Sequence, residues 1–450
     1  MRGSKWLLLL GTLLVSGTAL AACGSNNGNG GGASASSEAS PSSSASAGAS
    51  SSASPAASKD DKPVTLTVMT NIVGEPANVL EEISKEFTKE NPNIKVEFSA
   101  PGADYENIMK VKMASNAMPD VFSTHGWAKV RYGQYLADLR DEAWASQIDD
   151  KIKPAVTDDS GKVYVLPIDQ DKSGPVYNKD VLDQYGVAVP TTWDELLQAA
   201  ETIKTKSGGK VTPIHIGGAD SWPIGQFFDF MATPSFISPS TNDSAQLLDG
   251  SFDWKKFDSL PQMLLDLQKK GYLNKDVLTS KYSDSAKAFG EGKVAFGFYG
   301  PSLIEEAKKT NPNVHGGLMP IPSVVPGDAP TLAGGEKTTW GVWKDSPNLE
   351  AAKKFVAFYA KPENVKKVAA AGGLPPGLTG VDIDAGDLTA DFQKYADTPV
   401  FPYFDRDYLP NGMWDVMCKN GQDLLAGGIT VSQFSENMKQ EFDRLRTAAQ

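Results

Sequence analysis

Three histidines occur in the 450 residues, His125, His215 and His315, ninety and one hundred positions apart. None has a second ligand residue at metal-binding spacing. H-E-x-x-H, paired C-x-x-C, G-x-S-x-G and G-x-x-x-x-G-K-[ST] are all missing from the chain, so zinc hydrolysis, the α/β-hydrolase elbow and P-loop chemistry lack their usual signatures. Gly290-Glu-Gly292-Lys-Val-Ala295 fits G-x-G-x-x-[GA]. It follows a helical stretch and precedes a strand, however, the reverse of what a dinucleotide site requires. Glycoside hydrolysis needs only two carboxylates, spaced in space rather than along the chain, so a secreted carbohydrate-active enzyme stays open as an alternative. No metal or cofactor is expected.

Composition narrows the classes further. The chain is 40% hydrophobic and 22% charged, with 43 basic and 55 acidic side chains and two cysteines. The apolar content suffices for a core, which excludes a disordered chain; the scarcity of cysteine excludes a disulfide scaffold. A formal net charge of −12 and no cluster of Lys and Arg argue against nucleic acid. The partner should be neutral or cationic.

The ends differ from the middle. Arg2 and Lys5 precede a charge-free stretch from Trp6 to Ala22 that is interrupted by Gly11, Ser16 and Gly17, and residues 1–22 read as a secretory signal. It closes on Leu20-Ala21-Ala22-Cys23, which resembles the lipobox of bacterial lipoproteins; the resemblance implies lipidation of Cys23. From Gly24 to Ser58 the chain is almost wholly Gly, Ala, Ser and Asn. Such a segment cannot bury enough apolar surface to offset its ordering entropy, so residues 23–58 are expected to be an anchored tether. Its reach would be about 30 Å. An acidic globule would not adhere to an anionic membrane by itself, so the lipid would supply the attachment. Cys418, left alone, reads as a small buried hydrophobe.

The body that must position any site alternates strands and helices. Val64–Met69 and Ile94–Phe98 read as strands flanking a helix that Pro76 opens and that carries Val79, Leu80, Ile83 and Phe87 at helical spacing, one crossover unit of a parallel sheet. Asp120-Val121-Phe122, Lys162–Pro167, Val211–Ile216 and Lys293–Tyr299 read as further strands. Thr192-x-x-Glu195 is a capping box for a helix stopped by Gly208-Gly209, and Ser346-Pro347 is expected to cap another whose Ala352, Phe355, Val356 and Tyr359 face inward. The whole is α/β. Nearly 400 residues are too many for one core, so two lobes are expected.

Several of these segments together resemble the extracellular solute-binding proteins of ABC importers, in the carbohydrate-binding branch typified by maltose-binding protein. The similar pieces are Glu86–Glu97, Met118–Val121, Gly161–Pro167 leading to Tyr177–Asp180, Pro190–Leu196, Phe289–Ala295, Gly334-Gly335 and Ser346–Pro362. The resemblance implies two α/β lobes around a ligand cleft, residues 59–170 with 331–373 and residues 171–330 with 374–450, closing by hinge motion. It puts the chain crossings near Ile168–Ser173, Gly327–Gly334 and Gly372–Pro376. It also implies an ABC permease as partner, a carbohydrate as ligand, an extracytoplasmic lipid-anchored location and a monomer. A non-sugar, cationic solute is the alternative within the binding class.

A pyranose offers hydroxyls at its rim and C–H faces, so a sugar site needs aromatic plates together with carboxylates or amides. Ligands of open α/β sheets lie at the carboxyl ends of strands, and the loops there supply the candidates. These are Asn71 and Glu75 after the first strand, and His125 and Trp127 after Asp120-Val-Phe. Asp169 and Asp171 stand at the first crossing, the latter aligned with a cleft carboxylate in the family pattern. Trp222 and Tyr299 follow later strands, and Gly335 and Glu336 follow the second crossing. Arg406, Asp407 and Trp414 occupy the region where the family places a stacking aromatic. Trp127 and Trp414 are read as stacking plates, whereas Glu75, Asp169 and Asp407 read equally well as solvated surface acids and Trp222 as a strand cap. One of Trp340 and Trp343 should be buried.

Overall fold

The computed structural model describes residues 63–449; the leader, Cys23 and the Gly/Ala/Ser segment lie outside them. Twelve strands occur among the described residues: β1 Val64–Met69, β2 Ile94–Ser99, β3 Val121–Phe122, β4 Leu166–Pro167, β5 Gln170–Ser173, β6 Val176–Asn178, β7 Thr212–Ile214, β8 Val294–Gly297, β9 Gly316–Leu318, β10 Leu332–Glu336, β11 Thr339–Val342 and β12 Val400–Pro402. They form three sheets, ordered β2-β1-β3-β11-β4, β7-β8-β6-β9 and β12-β10-β5.

The first sheet begins with the crossover unit legible in the sequence. β1 pairs parallel with β2, Val64 opposite Ile94 through Met69 opposite Ser99, and the connecting helix Glu75–Glu90 starts on Pro76 and buries Leu80, Ile83 and Phe87. In the second lobe Thr192 Oγ1 accepts from Glu195 N at 3.2 Å while Glu195 Oε2 accepts from Thr192 N at 3.3 Å, and this capping box opens the helix Trp193–Lys206.

Two expected boundaries move. Only Leu166–Pro167 of the stretch Lys162–Pro167 joins the sheet, because Lys162 N donates to Asp158 Oδ1, Val163 N to Asp138 Oδ1 and Tyr164 N to Val156 O, while Val163 O accepts from Leu139 N. Those loop contacts occupy the groups that a longer strand would have paired. The late helix starts at Leu349, not at Ser346-Pro347. Ser346 Oγ instead donates to Asp120 Oδ1 at 2.5 Å, and Asp120 Oδ2 accepts from both the backbone N and Oγ1 of Thr67 at 2.8 Å.

The apolar side chains segregate into two large cores. One joins Leu66, Phe87, Phe122, Trp340 and Phe355; the other joins Phe227, Phe228, Phe257, Phe296 and Phe434. A smaller cluster around Phe289, Leu303 and Leu332 lies under β8 and β9. Trp340 is fully buried and Trp343 only partly. The third sheet joins the two lobes. β5 and β10 are its antiparallel crossing strands, Gln170 opposite Glu336 and Ser173 opposite Ala333. Gly334 is required here, since a Cβ would overlap the carbonyl of Asp171. The segment Gly372–Pro376 runs beside the first crossing, with Gln170 N donating to Pro375 O at 2.9 Å. The chain leaves the first core later, between Val381 and Ala385.

Candidate ligand-binding cleft

A cavity of 420 Å³ opens where the crossing strands meet the two lobes. The second lobe builds most of its wall. Helix Trp222–Phe236 starts after Ser221, held at φ +59°, and presents Trp222, Gln226 and Asp229 at i, i+4 and i+7 to the cavity. The turn after β8 adds Tyr299 and Ser302. Trp222, Tyr282 and Tyr299 form one aromatic cluster with ring centroids 5.1 to 5.7 Å apart. Tyr299 is fixed within it: its hydroxyl accepts from Gly217 N at 2.6 Å and pairs with Ser285 Oγ at 2.7 Å.

A further aromatic side chain of the wall depends on a close helix contact. Helix Met413–Leu425 carries Trp414 in its first turn, and it packs on helix Trp222–Phe236 at Gly225, where a Cβ would overlap Cys418 Sγ and stand 3.3 Å from the Trp414 ring. Cys418 is buried in that contact, as its sequence context suggests. Gly225→Ala should therefore destabilise the protein by about 1–3 kcal/mol through overpacking. Urea unfolding of Gly225→Ala against the Gly225→Ala/Cys418→Ala double variant checks the cause: partial recovery in the double variant is expected, and none would place the strain elsewhere.

Four acids, Asp171, Asp229, Glu305 and Asp405, share the cavity with two cations, Lys337 and Arg406. Asp171 on β5 accepts from the Tyr403 hydroxyl at 2.9 Å and lies 3.8 Å from Lys337 Nζ. Asp229 and Asp405 are 2% and 5% exposed, and Asp229 Oδ1 accepts from Asp405 N at 2.8 Å. Burial pushes Asp229 up to about 6; burial and the neighbouring Asp229 charge push Asp405 up to about 8. Arg406 opposes both shifts. Its guanidinium carbon lies 4.2 Å from the Tyr403 ring centroid in the second lobe and 5.1 Å from that of Trp127 in the first. Gly126, at φ +89°, leaves the space that Arg406 fills.

Of the candidates read from the sequence, His125, Trp127, Asp171, Trp222, Tyr299 and Trp414 line this cavity. Trp222 opens a helix and is not a strand cap. Trp127 differs from the open plate expected, because Arg131 lies over its ring at 3.8 Å in addition to Arg406. Asn71 and Asp169 stand on a neighbouring cavity. Asp169 is buried rather than solvated, with its carboxylate accepting from Thr338 N at 2.7 Å and from Thr338 Oγ1 at 2.9 Å. Burial raises it to about 7.

Four candidates are corrected. Glu75 is an exposed first-turn residue accepting from Asn78 Nδ2. Gly335, Glu336 and Asp407 line a narrow crevice behind the crossing strands rather than the main cavity. Glu336 is fully enclosed there, and its Oε1 accepts from Ala128 N and Thr124 Oγ1, both at 3.1 Å. Its carboxylate fastens the second crossing to the loop that carries His125 and Trp127. Among the residues not anticipated are Gln226, Asp229, Lys337, Tyr403 and Asp405. The first two sit inside a helix whose buried, nearly all-apolar surroundings hide them, although their spacing from Trp222 was a usable signal. Among the described residues no group of three or more His, Cys, Asp or Glu is placed to hold a metal ion, and no helix is long and apolar enough to cross a membrane.

Two α/β lobes joined by paired crossing strands beside a cavity of aromatic and carboxylate side chains define a solute-binding protein. The chain belongs to the bacterial extracellular solute-binding protein family, whose model matches residues 72–366. It is 42% identical over 392 residues to the melibiose/raffinose/stachyose-binding protein MelE of Bacillus subtilis (strain 168), an alignment that spans 87% of this chain and 92% of that protein. Among solved structures it resembles a sugar transporter protein of Bacillus licheniformis in complex with stachyose, at 44% identity and TM-score 0.77, covering 85% of this chain and all of that one. A Bacillus subtilis binding protein in an open conformation matches at 42% identity and TM-score 0.81, covering 87% of this chain and all of that one.

Proposed function

We propose that the protein captures an oligosaccharide of the melibiose, raffinose and stachyose class between its lobes and delivers it to the permease of an ABC importer, held to the outer face of the membrane by a lipid on Cys23. The observation that carries the ligand class is the cavity itself: Trp222, Tyr299 and Trp414 supply apolar plates, and Asp171, Gln226, Asp229 and Asp405 supply acceptors and donors for ring hydroxyls. The binding specificity named for the Bacillus relatives supports it. In this reading the first lobe is residues 63–170 with 336–381, the second is residues 171–335 with 385–449, and β5 and β10 flex between them.

A cationic solute fits the cavity less well. Arg406 and Lys337 oppose its acids, and burial keeps a proton on Asp405 near neutral pH. Hydrolysis finds no specific support either, since Asp171 is held by Tyr403 and Lys337 and Asp229 accepts from the backbone N of Asp405. Titration calorimetry against melibiose, raffinose, stachyose and a polyamine, followed by chromatography of the sugars, tests the reading. Stoichiometric heat with the sugars and no products is expected; heat with the polyamine alone, or released monosaccharide, would contradict it.

A further inference from the structure

A line of buried polar groups runs from the end of β7 to the cavity wall. His215, next after β7, is 7% exposed, and Ser285, in the helix Tyr282–Gly290, is fully enclosed. Neither side chain lines the cavity. His215 Nδ1 lies 2.8 Å from Ser285 Oγ, and Ser285 Oγ lies 2.7 Å from the Tyr299 hydroxyl, which accepts from Gly217 N at 2.6 Å. The line thus ends on a ring of the cavity wall. Gly217 permits the approach, since a Cβ there would overlap the backbone of Lys281 and Tyr282 where the helix begins.

The protons along this line can be placed by counting donors and acceptors. The Tyr299 oxygen already accepts from Gly217, so its own proton goes to Ser285 Oγ. The proton of Ser285 then has two acceptors within reach, His215 Nδ1 at 2.8 Å and Lys281 O at 3.5 Å, and the nearer makes the better bond. His215 must therefore present a lone pair at Nδ1, an assignment to the neutral imidazole with its proton on Nε2. Burial favours that form and holds His215 below the ordinary imidazole value, although Asp276 and Asp284 face it.

Apolar side chains would fill this space without the cost of burying polar groups, which stay neutral to stability only while each is bonded. What the line adds is direction. With its hydroxyl tied to Gly217 and Ser285, Tyr299 meets a ligand chiefly through its ring, and contact with the C–H face of a sugar falls away as such a ring tilts. We propose that His215 is a positioning residue for the bound sugar, acting through Ser285 to fix the Tyr299 hydroxyl and hence the angle at which its ring faces the cavity. The proposal rests on the oligosaccharide reading above and adds to it a residue outside the cavity that sets affinity.

Calorimetry with raffinose on a set of variants tests this. Ser285→Ala and His215→Leu should each raise the Kd about fivefold. His215→Asn, whose Oδ1 can stand in for Nδ1 as acceptor, should stay within about twofold of the wild-type protein. Tyr299→Phe keeps the ring and loses its tie, so adding Ser285→Ala to it should change the Kd no further. Ser285→Ala is a small change that supplies the test even where His215→Leu fails to fold. Wild-type affinity in Ser285→Ala, or an effect of Ser285→Ala undiminished beside Tyr299→Phe, would overturn the positioning role while leaving the oligosaccharide reading standing. Absence of heat with raffinose, melibiose and stachyose in the wild-type protein would overturn that reading and the proposal with it.

Discussion

Arg406→Ala is expected to destabilise the folded protein by about 3 kcal/mol at pH 8, with a much smaller loss at pH 5. Arg406 is half-buried and opposes the raised acidities of Asp229, Asp405 and Glu336, three carboxylates that burial has pushed to about 6, 8 and 7. Raised carboxylates contribute stability that is present below the ordinary carboxylate range and lost as pH rises through their folded-state values. Without the guanidinium those values climb further, so the variant loses more stability than the wild-type protein between pH 5 and pH 8. Urea midpoints at the two pH values read the difference. A gap of equal size at both would mean that Arg406 acts through packing against Trp127 and Tyr403 alone. Ligand affinity should fall as well, since Arg406 lines the cavity and spans rings of both lobes.

Trp414→Ala should weaken oligosaccharide binding at least about tenfold, roughly 1.4 kcal/mol, whereas Trp414→Phe should keep most of the affinity because a plate remains. Helix Met413–Leu425 holds this ring against Gly225 at the cavity wall, and among the described residues no cation covers its face in the way that Arg131 and Arg406 cover Trp127. Trp127→Ala should accordingly act by freeing two guanidinium groups more than by removing a stacking surface. Calorimetry on the three variants separates these outcomes. Unchanged affinity in Trp414→Ala would move the sugar to another wall.

What was legible in the chain followed from local physics. The β1–helix–β2 unit announced itself through alternation, an N-terminal proline and helical spacing of Leu80, Ile83 and Phe87, all of which act within a few residues. The capping box at Thr192 is equally local. Cleft residues in loops after strands were also accessible, because strand ends fix where such loops go: His125, Trp127 and Tyr299 all line the cavity, although Asp171, expected in a loop, lies on β5. Glu336 was misread because its partners, Thr124 and Ala128, lie more than two hundred positions away. Asp229 was hidden in a helix whose neighbours are almost all apolar, and its role depends on Asp405, which is equally remote. Lys162 was read from its neighbours as a strand start; the backbone of Lys162–Tyr164 pairs instead with Asp158, Asp138, Leu139 and Val156 in the preceding loops.

The central claim is that an oligosaccharide occupies the cavity between the lobes. A crystal grown with stachyose tests it most directly. The account requires sugar density in contact with Trp222, Tyr299 and Trp414, with hydroxyls within hydrogen-bonding distance of Asp229 or Asp405. Stachyose bound anywhere other than between the lobes, or an empty cavity at saturating sugar, would contradict it.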